Sequence, residues 1–150
     1  MKRRIIFTVS TVIVLLALSL GYRQLATTND RVAAEILQQP QGQRAARTLL
    51  LTLQDGRRFP VNYLWEDGRI YLGIDGLWWR AFVDAGQTVE LYVRGQRLQG
   101  HARVILNDAA RVADVFSRLR PTAPAWLPAW LNGKLVEINL LPALQQDAEP

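Results

Sequence analysis

Past residue 48 the apolar residues fall mostly at every second position, the period at which one face of a strand is buried and the other stays wet. LLLTL (49–53) leads into Gln54–Asp55–Gly56, and RFPVNYLW (58–65) follows. Glu66–Asp67–Gly68 then separates that run from RIYLGI (69–74) and reads as a hairpin turn, because Gly accepts the positive φ such turns need. In TVELYVR (88–94), Val89, Leu91 and Val93 share one face; Thr88, Glu90, Tyr92 and Arg94 share the other. Gly95 turns the chain into RLQGHARVIL (97–106), with Leu98, Gly100, Ala102, Val104 and Leu106 on one face. Two small residues on that face suit a tightly curved sheet. KLVEINLL (134–141) closes the series with Val136, Ile138 and Leu140 facing inward.

Two stretches change period. After Asn107–Asp108, either of which can cap a helix, Val112, Val115, Phe116 and Leu119 recur at helical spacing until Pro121. Pro124 and Pro128 then punctuate an irregular segment carrying Trp126 and Trp130, which either pack on the sheet or sit at a membrane interface. Earlier, Asn29 or Asp30 can cap a short helix through RVAAEILQQ (31–39), which Pro40 ends. The pattern predicts a mainly β, α+β domain. Five or six antiparallel strands close wholly or partly into a small barrel, with one helix between the late strands.

The N-terminus follows neither period. From Ile5 to Tyr22 no residue is charged, and Lys2, Arg3 and Arg4 precede the run. As helix, these residues span about 27 Å, close to the hydrocarbon thickness of a bilayer. The flanking charge predicts a transmembrane helix with the N-terminus cytoplasmic and the domain outside. A cleaved signal peptide is the rival, with Ala17, Ser19 and Gly21 offering small residues for cleavage; the length of the run favours the anchor. The chain therefore divides into an anchor or signal segment (1–22), a stalk with a short helix (23–47), a barrel domain (48–141) and a loose tail (142–150).

Charge and chemistry narrow the function. The formal charge is +5, but three of the 18 basic residues are Lys2, Arg3 and Arg4, leaving 15 against 13 acidic ones. The arginines are spread singly, which argues against a nucleic-acid footprint. There is no cysteine, and His101 is the only histidine, so neither a thiolate nucleophile nor a histidine-pair metal site is expected. Arg57, Arg58 and Arg80 can clamp a phosphate, because guanidinium groups pair bidentately with its oxygens. Trp78 or Trp79 can wall a flat ring, or pack in the core.

The stretch from Val61 to Ile105 resembles the deazaflavin-dependent nitroreductase family, within the class of FMN-binding split β-barrels related to pyridoxamine phosphate oxidases. The resemblance rests on Asp67–Gly68, Trp78–Trp79–Arg80, Val89–Val93, Gly95 and Ala102–Val104, in the family's order, followed by a helix and LVEINL (135–140). It covers residues 48–141. It implies a split β-barrel, a homodimer, and a deazaflavin coenzyme or FMN lying along Arg57, Arg58, Pro60, Val61, Asn62, Tyr63, Trp78, Trp79 and Arg80. Asn62 would bond ring carbonyls and Tyr63 would deliver a proton. DGRRFP (55–60) lacks the second Gly and the Ser of the family's phosphate turn, and Ala81 stands where the family often has Asn. The implied activity is hydride transfer to a small electron-poor molecule. A reading from another class is a non-catalytic exported barrel that binds a partner protein or an apolar ligand.

Overall fold

The computed structural model describes residues 28–124 and 133–142. The apolar run, Trp126, Trp130 and the tail beyond Pro142 lie outside the described residues, and no described helix is long and apolar enough to cross a membrane.

Six strands form the domain: β1 (Thr48–Thr52), β2 (Arg58–Glu66), β3 (Arg69–Ile74), β4 (Gln87–Val93), β5 (Gln96–Ile105) and β6 (Lys134–Leu140). They close into an antiparallel barrel in the order β1-β2-β3-β6-β5-β4. Their alternating positions meet inside it: Leu49, Leu51, Val61, Ile70, Leu72, Val89, Leu91, Val93, Val136 and Ile138 form one continuous core. The Asp67–Gly68 turn has positive φ at both residues, 49° and 73°, as a two-residue hairpin requires. Gly100 meets the curvature demand. A Cβ there would strike Ile138 Cγ2 and lie 3.0 Å from the Asn139 carbonyl oxygen, so β6 could not pass so closely.

Strand direction alternates around the barrel, which gives it two rims. The β1–β2 turn, the β3–β4 connection and the β5–β6 connection share the first; the β2–β3 and β4–β5 turns share the second. A 3-10 helix, Leu77–Phe82, carries the chain over the first rim and seals it with Phe82 and the inner part of Trp78.

Among the described residues, two helices pack on the outer wall. Helix α1 (residues 28–38) lies over β1 and β4, where Ile36, Ala45, Leu50 and Tyr92 form a separate cluster. This stretch is thus part of the packed domain rather than a free spacer. The chain is already helical at residue 28, so Asn29 and Asp30 lie within the helix and do not cap it. Helix α2 (Ala109–Leu119) covers β3 and β6 through Val115 and Phe116 against Tyr71 and Leu135. Asp108 caps it, its carboxylate accepting from the Arg111 backbone N–H at 3.0 Å. Arg111 fastens it to the wall by donating to Glu137 and to the Tyr71 hydroxyl, and Arg118 does so through Glu66. Hydrogen bonding to Tyr71 raises the Arg111 pKa above its ordinary value.

Candidate functional site

The strand register builds a second feature on the outer wall. Arg58 on β2 faces Thr52 on β1, Thr52 faces Glu90 on β4, and Glu90 faces Gln99 on β5. One step along, Pro60, Leu50, Tyr92 and Arg97 form a parallel row. Neighbours in such rows stand about 5 Å apart, so the two rows make a continuous floor. Leu37 of α1 walls one side. Leu141 and Pro142 wall the other, held by the Leu141 backbone N–H donating to the Gln99 carbonyl at 2.9 Å.

The result is a groove of about 800 Å³, inside the roughly 300–1,000 Å³ typical of small-molecule sites. A smaller hollow of about 360 Å³ continues it along α1 past Asp30, Gly56 and Pro60, with Leu37 and Arg58 common to both. Among the described residues, the side chains of Arg58, Glu90 and Arg97 form no hydrogen bond or ion pair. Two free guanidiniums and one free carboxylate thus share a mainly apolar trough. Such a trough suits a flat molecule with an anionic end for an arginine and a polar edge for Glu90, Gln99 or Thr52.

The residues expected from the sequence are dispersed. Arg58 and Pro60 line the groove or its extension. Arg57 sits in the preceding turn, paired with Asp55 at 2.8 Å. That pairing, through the Arg57 backbone N–H first and its guanidinium second, holds the Asp55 carboxyl below the usual carboxylate range. Val61 is core. Asn62 is exposed, its side-chain oxygen accepting from the Thr48 hydroxyl at 2.9 Å. Tyr63 packs against the core, and its hydroxyl donates to the Ala45 carbonyl at 3.4 Å.

Trp78 stacks on Phe59, ring centroids 4.4 Å apart and planes 1° from parallel, and meets Phe82 edge-on. This stack joins the start of β2 to the 3-10 helix. It also covers one face of Trp78 with the chain's own ring. Trp79 has Arg80 and Lys134 each 5.9 Å from its ring. His101 turns Nε2 to the Ala85 carbonyl at 2.7 Å, so that nitrogen carries a proton and pins the loop before β4. Among the described residues no three metal-ligating side chains converge.

Glu90, Tyr92, Arg97 and Gln99 are among the groove residues that the sequence did not mark as functional. Alternation placed them on outward faces. Their convergence with Arg58 depends on β1 pairing with β4 across the barrel closure, which local pattern does not encode.

No protein-family description matches the chain, and no curated protein matches it.

Proposed function

We propose that this chain is a membrane-anchored barrel that binds a flavin or deazaflavin in the outer-wall groove and acts as a nitroreductase-like oxidoreductase. The observation that carries the reading is the groove itself: an apolar trough of fitting volume with unpaired Arg58 and Arg97 at its margins. The motif order from Asp67 to Val104 supports the split-barrel class, and the uncharged run Ile5–Tyr22 supports the anchor.

When bound, the ring would supply hydride transfer to a small electron-poor molecule. The chain's own part is placement. Arg58 or Arg97 would hold the phosphate end, while Leu37, Leu50, Tyr92 and Leu141 exclude water from the ring face. Glu90 and Gln99 offer hydrogen-bond partners for its polar edge.

The test is a titration of the full chain in detergent with FMN and with a deazaflavin coenzyme, followed by absorbance and tryptophan quenching. One of the two is expected to bind saturably, and Arg58→Ala to weaken it about tenfold, the scale of one charged hydrogen bond. Absence of saturable binding by both would refute the reading.

A specific observation favours the second reading, a non-catalytic barrel for a partner protein or apolar ligand. Phe59 covers a face of Trp78 and Asp55 engages Arg57, so two elements of the implied cofactor site already have partners. Binding of neither cofactor, together with saturable uptake of an apolar fluorescent probe, would select it.

A further inference from the structure

The path of α1 brings the N-terminal connection to one rim of the barrel. Its C-terminal end reaches the second rim, where Gln41 Nε2 donates to the Arg94 carbonyl at 2.9 Å. Its first turn lies at the first rim, where Asn29 and Asp30 share a hollow with Gly56 of the β1–β2 turn. Only residues 23–27 separate the end of the uncharged run at Tyr22 from Thr28. Fully extended, that connection reaches about 20 Å. If the run spans a bilayer, this connection keeps the first rim within about 20 Å of the membrane, and the second rim is a strand length from the first.

The first rim carries the side chains that such a position needs. Leu77 is 69% exposed, the most of any large apolar residue described. Beside it, Trp79 is only partly buried, with the cations of Arg80 and Lys134 at its ring. Neither cation has a carboxylate partner among the described residues. Tryptophan favours the headgroup region, and free cations are attracted to anionic lipid.

We infer that the first rim docks on an anionic phospholipid surface through Leu77, Trp79, Arg80 and Lys134. The barrel then stands upright, with the groove open sideways just above the headgroups. This inference rests on reading Ile5–Tyr22 as a membrane span, and the experiment separates the two.

The chain has no cysteine, so single cysteines can be introduced cleanly. Full-length Val14→Cys, Leu77→Cys and Gln96→Cys chains, spin-labelled in nanodiscs containing phosphatidylglycerol, report contact with lipid-soluble oxygen and with an aqueous nickel chelate. Position 14 lies in the run, 77 on the first rim and 96 on the second. The expected result is a lipid signal at 14, an oxygen-to-nickel ratio at 77 several-fold above that at 96, and loss of that excess when Arg80 and Lys134 are both changed to Glu. A lipid signal at 14 with equal aqueous values at 77 and 96 would overturn the docking while leaving the anchor intact. An aqueous signal at 14 would overturn the anchor, and the docking with it.

Discussion

Gly100 shows how much one side chain decides in this barrel. Leu98 and Ala102 flank it on the inward face, and the paired strand β6 passes so close that any Cβ must displace Ile138 or the Asn139 backbone. Gly100→Val is expected to lower stability by about 2 kcal/mol or more, the cost of overpacking a tight core; urea unfolding checks it. Asp55 acts through charge instead of volume. Its folded pKa is depressed, so its stabilising effect is present above its ordinary value of 3.8 and is lost as pH falls through the lower folded value. The urea midpoint of the wild type should therefore exceed that of Asp55→Asn at neutral pH, and the difference should shrink below pH 3.8 and vanish once the pH passes the lower folded value. A difference that persists in acid would contradict this cause. Both residues are exposed or small in the sequence pattern alone. The turn made Asp55 legible beside Arg57, and alternation made Gly100 legible as inward, but what each touches needed the register.

Helix α1 is the element whose role differs most from expectation. From sequence, residues 31–39 read as a short helix within a stalk, capped by Asn29 or Asp30 and ended by Pro40. The structure buries Ile36 and Ala45 against Leu50 and Tyr92, making the helix a wall of the groove. Its apolar face is only Val32, Ala33 and Ile36 wide, too narrow to announce a packing partner. Ile36→Ala is expected to cost about 2–4 kcal/mol, as for other buried aliphatic truncations, and to weaken groove binding at the same time. Calorimetric unfolding and a ligand titration on the same variant would test the link. Unchanged affinity in a clearly destabilised variant would show that α1 is not a functional wall. By contrast, α2 was legible in outline: Asp108, the spacing from Val112 to Leu119 and Pro121 bounded it within a residue or two.

At the scale of the whole molecule, local pattern foretold five or six alternating strands but not their neighbours. Sequential hairpins are written in turns such as Asp67–Gly68; the β1–β4 and β3–β6 pairings are set by closure and leave no local trace. The candidate site divides along that line. Arg58 was visible as a turn arginine, and Pro60 only through the family resemblance. Glu90, Tyr92, Arg97 and Gln99 were visible only as outward residues, and they became a site when the closed barrel set them beside Arg58. Closure also places the first turn of α1 and the exposed Leu77 on one rim.

The central claim is that the outer-wall groove holds a flat, phosphorylated ring, and chemical-shift mapping locates such a ligand most directly. Full-length, isotope-labelled chain in nanodiscs would be titrated with FMN and, separately, with a deazaflavin coenzyme. Saturable shifts concentrated at the amides of Thr52, Glu90, Tyr92 and Gln99 are the predicted result. Shifts confined to Trp78–Arg80, or none from either ligand, would contradict it.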